Sequence, residues 1–74
     1  MTYDYSKLNG RIIEKYKTRY AFAKEMGWSN ETMSKKLNNR VPWRQKDIEK
    51  AVASLSIEKD DIGAYFFTVE VKTS

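Results

Sequence analysis

The stretch over residues 18–40, TRYAFAKEMGWSNETMSKKLNNR, constrains the chain most, because it carries two short helical patterns separated by a single tight break. In its first half Phe22, Ala23 and Met26 fall at i, i+1 and i+4; in its second half Met33 and Leu37 fall at i and i+4. Each half therefore offers a narrow apolar stripe to a core. Between them Gly27 can take a positive φ and end the first helix, Trp28 can plug the angle between the helices, and Ser29 can cap the second by accepting from a backbone N–H. Ala23 lies four positions before Gly27, a spacing of small residues that predicts a close helix crossing at both. The pattern is that of a helix-turn-helix.

The helix after the turn, residues 30–38, fills most of its non-core positions with groups that hydrogen-bond base edges or phosphates. Such a helix fits the major groove of DNA. Charge points the same way. Residues 7–46 hold 11 Lys and Arg against three acids, a balance of +8, while the rest of the chain has a balance of −4. A basic block that coincides with the helix-turn-helix is the footprint of a polyanion binder, although lysines and arginines that only solvate helix faces give the same count.

The run of Thr18, Phe22, Ala23, Met26, Gly27, Trp28, Ser29, Thr32, Met33, Ser34 and Lys35 resembles the helix-turn-helix of Cro/C1-type regulators, the phage repressors and Cro proteins. Their pattern is roughly T-x-x-x-L-A-x-x-L-G-[IV]-S-x-x-T-[IV]-S-K. The likeness extends to residues 3–16 as the preceding helix and 43–67 as the closing helices. It implies an all-α, five-helix domain of lambda-repressor-like type over residues 1–74, whose third helix occupies a double-stranded DNA operator. By the same resemblance Arg19, directly after the Thr18 cap, contacts a phosphate, and Asn38 matches a second phosphate-contacting position. Asn30, Glu31, Thr32, Ser34 and Lys35 face the bases. Asn30 suits adenine, Thr32 a thymine methyl and Lys35 guanine, each good bidentate pair being worth roughly 1–3 kcal/mol of discrimination. Glu31 departs from this chemistry, since a carboxylate repels phosphates; it either accepts from a cytosine amino group or favours the positive end of its helix. Arg40, in the following loop, completes this side of the DNA-binding set.

Around this centre the remaining elements are legible. Residues 4–17 predict a first helix with Tyr5, Leu8, Ile12 and Tyr16 on one stripe, capped by Asp4 or Ser6. Gly10, costly inside a helix, predicts a close neighbour. Lys15 and Lys17 near that helix's C-terminus serve its dipole or reach phosphate. Asn38 and Asn39 can replace the glycine that ends the third helix by taking the left-handed conformation. Pro42 marks a loop of about four to six residues, since the residue before proline avoids helical angles. A fourth helix over 45–55 buries Ile48, Ala51, Val52 and Leu55, and Trp43 and Ile48 have the spacing of a hydrophobic staple. Arg44 occupies its cap position without an acceptor to offer, which makes phosphate contact the better use of it. Ser56 is expected to cap a fifth helix over 57–64. Its acids Glu58, Asp60 and Asp61 favour the helix start and lack the ligand alternation and glycine of a calcium loop. In the tail, Phe67, Val69 and Val71 alternate with Thr68, Glu70 and Lys72, the period of a half-buried strand. A lone strand over 66–74 either pairs with a second copy, as in Cro proteins that dimerise this way, or is a mobile tail.

A 74-residue chain buries a modest core, so a homodimer is the expected assembly. With no cysteine or histidine, disulfides, the usual zinc sites and thiol or imidazole catalysis are excluded, and no cofactor is expected. No apolar run approaches the roughly 20 residues of a membrane span and the start lacks a signal-peptide pattern, so a cytoplasmic protein of the bacterial host is expected. Scattered carboxylates assemble no acid-base pair, and aromatics at core spacing do not form an RNA platform. The leading reading is thus a DNA-binding transcriptional regulator of Cro or repressor type. The alternative is a protein-binding modulator or antirepressor whose partner is the cognate phage repressor, for which Glu31 would meet a basic recognition helix.

Overall fold

The computed structural model describes residues 2–70 and is all-α. Helix α1 spans Ser6–Tyr16, α2 Arg19–Met26, α3 Asn30–Leu37 and α4 Gln45–Leu55; a 3-10 turn over Lys59–Asp61 leads into α5, Ile62–Phe66. Their stripes converge on one core of Leu8, Ile12, Phe22, Ala23, Met26, Met33, Ala51, Leu55, Ile57 and Phe66. Burying each large side chain of this set contributes about 1.5–3 kcal/mol. Every helix is short, so this shared burial, rather than helix propensity, holds the chain together.

Three helix ends use one device. Gly27, Asn39 and Ser56 lie at φ 79°, 62° and 53°, and the following N–H reaches back to Ala23, Lys35 and Val52 respectively. This is the Schellman closure, which satisfies carbonyls the helix itself leaves unpaired. Lys17 turns the corner between α1 and α2 at φ 74°, an uncommon conformation for a long side chain. Helix α1 then braces the end of α4: Arg11 Nε donates to the Leu55 carbonyl, Tyr16 Oη to the Ser54 carbonyl and Lys15 Nζ to Ser56 Oγ. Lys15 is thereby a structural residue.

Several expectations are corrected. The N-cap of α1 is Tyr5, neither Asp4 nor Ser6, although Asp4 Oδ1 accepts from the Ser6 N–H at 2.8 Å. A Cβ built on Gly10 or Gly27 meets nothing within 4 Å, so neither glycine serves a close approach. The tight crossing rests on Ala23, 1% exposed, and Gly27 is needed for its backbone angle. The loop between α3 and α4 covers residues 38–44, longer than proposed, because α3 stops at Leu37 and the left-handed Asn39 redirects the chain. Ser56 closes α4 instead of opening the next helix, and residues 57–58 are not helical. Its left-handed backbone spends the position on termination.

The terminal strand is also different. Val69 pairs antiparallel with Tyr3 of the same chain, through Asp4 N–H to the Thr68 carbonyl and Glu70 N–H to the Thr2 carbonyl. Among the described residues the expected strand is thus a single bridge, and its partner is internal. Phe66 ends α5 and carries the burial, while Phe67 and Val69 are 52% and 47% exposed. The rest of the expected strand, residues 71–74, lies outside the described residues.

Candidate functional site

The face of α2 and α3 that points away from the core is built from two helix starts. Thr18 Oγ1 accepts from the Ala21 N–H at 3.1 Å, and this cap sets Arg19 at the first turn of α2. Ser29 Oγ accepts from the Thr32 N–H at 3.2 Å, fixing the start of α3. Each such cap stabilises its helix by about 1 kcal/mol, enough to keep the first turn from fraying. Across the groove between them, Arg19, Asn30, Met33 and Ser34 line one hollow of about 150 Å³.

Two further hollows continue this surface. Glu31, Ser34, Lys35, Asn38 and Arg40 line one of about 350 Å³. Arg19, Asn38 and Asn39 border another of about 340 Å³ with Ser6 and Asn9 of α1. Asn38 belongs to both and is held in place, its Nδ2 donating to the Ser34 carbonyl at 2.9 Å. Asn9 Oδ1 is buried with no hydrogen-bond partner among the described residues.

The structure thus brings together Arg19, Asn30, Glu31, Ser34, Lys35, Asn38 and Arg40, all exposed. It leaves out two of the expected residues. Thr32 is half-buried and its Oγ1 bonds to Ser29 Oγ at 3.1 Å, so it belongs to the cap. Arg44 is exposed at the N-cap of α4 and lines none of these hollows.

Charge on α3 is distributed in a way the sequence count conceals. Glu31 pairs with Lys35 at 3.2 Å, both exposed. Lys36 turns inward: it is 5% exposed, its Nζ lies 2.8 Å from Asp47 Oδ2 and 3.1 Å from the Pro42 carbonyl, and it sits over the Trp28 ring. Burial pushes the Asp47 carboxyl up, but hydrogen bonds from Lys36 and the Arg44 N–H, with both positive charges, more than offset this and hold it below its ordinary value. The exposed charge of α3 therefore sums to zero, and positive charge flanks the helix at Arg19 and Arg40. Lys36 follows Met33 by three positions, so its burial was available from helical spacing; its partner, 11 residues on, was not.

Asn39 has a second role, for which its local sequence carries no signal. Its Oδ1 accepts from the Tyr3 N–H at 2.9 Å and its Nδ2 donates to the Tyr3 carbonyl at 2.8 Å, tying the loop after α3 to the terminal ladder. Beside this clamp Tyr3, Tyr5, Trp43, Ile48, Phe66 and Phe67 line an aromatic hollow of about 330 Å³.

Residues 1–69 match the family described as "Protein of unknown function (DUF739)". The chain belongs to the DUF739 family. Among solved structures this DUF739 protein is similar to the modulator of repression (MOR) of the temperate bacteriophage TP901-1 from Lactococcus lactis. The two share 49% sequence identity over 97% of each chain, with a TM-score of 0.79. Among curated proteins no relative matches. The DUF739 chain is thus close, along nearly its whole length, to a regulatory protein of phage repression.

Proposed function

We propose that this protein is a modulator of phage repression that binds the cognate repressor and alters its contacts with DNA. The observation that carries this reading is the 49% identity with a phage modulator of repression, over 97% of both chains. The charge on α3 supports it. A helix that reads DNA gains from unpaired cations, whereas here Lys35 is matched by Glu31 and Lys36 by Asp47. Glu31 instead suits a protein surface, because an exposed carboxylate at the start of α3 can accept from the arginines and lysines of a DNA-reading helix on the repressor. The interacting face is then the α2–α3 surface around Asn30, Ser34 and Asn38.

The second reading is a sequence-specific, operator-binding regulator of Cro type, acting as a homodimer. What favours it is the contiguity of Arg19, Asn30, Ser34, Asn38 and Arg40 on one face with two capped helix starts. A gel shift separates the two. With operator DNA from the same phage, the first reading expects no shift by this protein alone and a changed shift when it is added to the repressor. A shift by the protein alone, with log K falling by about 0.9 per neutralised phosphate against log salt, reverses the order.

A further inference from the structure

Val41, Pro42 and Trp43 line the aromatic hollow and are preceded in the chain by Arg40 and followed by Arg44, both exposed and neither in an ion pair among the described residues. Residues 38–46, NNRVPWRQK, hold three basic residues and no acid. The opposite wall is Tyr3 and Phe67, whose rings meet edge to face at 6.0 Å. Phe67, the C-cap of α5, is 52% exposed and Val69, two residues on, 47% exposed. The floor is rigid. Trp43 packs edge to face on Trp28 and on Phe66, and its Nε1 donates to the Lys36 carbonyl at 3.2 Å.

A preformed hollow of about 330 Å³ with aromatic walls, open to solvent, is the shape of an anchor pocket, in which one bulky apolar side chain of a partner is desolvated. The two arginines that flank this lining segment in the chain select the surroundings of that side chain. Asn39 borders both this hollow and the one shared by Arg19 and Asn38, so the pocket is continuous with the α3 face. We infer that this hollow is a second half of the protein-binding surface and takes a bulky apolar side chain flanked by acidic residues on the repressor. The inference rests on the repressor-binding reading and adds to it the anchor and the chemistry of the partner segment. An apolar anchor with cations on the flanking chain assigns the two parts different tasks: the pocket governs dissociation, and Arg40 and Arg44 govern association and its salt dependence.

The test uses the full chain and the repressor encoded beside it. In a Trp28→Phe background Trp43 is the sole tryptophan, and its emission reports the pocket directly. Repressor binding is expected to shift that emission to the blue. Phe67→Asp, at an exposed site, is expected to weaken binding at least about tenfold through faster dissociation, and Arg40→Glu with Arg44→Glu to slow association. Ile13→Asp, an exposed apolar residue on α1, serves as the control and should leave binding unchanged. Thermal melting checks that each variant folds. If wild-type protein binds the repressor while Phe67→Asp binds equally well and Trp43 emission does not move, the pocket is overturned and the α3 face alone carries binding. If instead sedimentation shows self-association that Phe67→Asp abolishes, the hollow belongs to a second copy and the inference falls. A wild-type chain that does not bind the repressor overturns both readings.

Discussion

Lys36 Nζ stands 2.8 Å from Asp47 Oδ2, with side-chain exposures of 6% and 18%, and so joins the last turns of α3 to the first turn of α4. Breaking such a pair from one side leaves a carboxylate without its ammonium partner in a largely desolvated position, with the more distant Arg44 charge as its remaining cation. Lys36→Met is expected to cost about 3 kcal/mol, the lower end of buried-pair losses because Asp47 keeps some solvent. Adding Asp47→Leu should recover most of it. Urea unfolding of the single and double variants checks both values.

The same carboxylate sets an acid limit. Its folded pKa lies below the ordinary carboxylate value, so its contribution is fully present above the unfolded pKa and is lost as pH falls through the folded one. Asp4, held low by hydrogen bonds from Ser6, acts in the same direction. Stability should be flat from neutrality to about pH 5 and decline below about pH 4. In Lys36→Met the Asp47 part of that slope should shrink, which urea midpoints measured across pH would register.

Backbone angle, not space, governs the α2–α3 turn. Gly27→Ala meets no atom within 4 Å, yet it places a Cβ at φ 79° and should destabilise by about 1 kcal/mol. Gly10→Ala, equally unobstructed but inside α1, should stabilise by about 0.5–1 kcal/mol. Lys17→Gly should relieve its left-handed backbone and also stabilise. Thermal midpoints moving in these three directions would separate conformational strain from packing.

Asn39 supplies a left-handed residue and two hydrogen bonds to Tyr3 at once. Asn39→Gly keeps the angle and removes only the bonds, each worth about 1 kcal/mol. The expected result is faster hydrogen exchange at the Asp4 and Glu70 amides, which hold the terminal ladder, with the core amides of α2 unchanged.

Glu31→Gln distinguishes the two functional readings by sign. It removes a carboxylate and frees Lys35 from its 3.2 Å pair. Affinity for operator DNA would rise, whereas affinity for a repressor's basic helix would fall. Isothermal titration with each partner at fixed salt gives the answer.

The local rules were plain in the chain itself. Thr18 and Gly27 announce where α2 begins and ends and Ser29 where α3 begins, because a hydroxyl acceptor and a missing Cβ act within one turn, and the bounds of α4 follow from the same short-range periodicity. Ser56 shows the reverse. A residue type that starts helices was spent on ending one, because the Ile57 N–H bonds back to Val52 and Ile57 itself is buried.

The sequence by itself determined an all-α chain with a capped helix pair and a basic central block, since spacing, caps and charge are properties of neighbours along the chain. Only the tertiary structure decided which of those charges are offered to a partner. Asp47 and Lys36 cancel across two helices, Tyr3 claims both Val69 and Asn39, and four separate segments enclose the Trp43 hollow. Such relations join residues distant along the chain, and local periodicity carries no information about them.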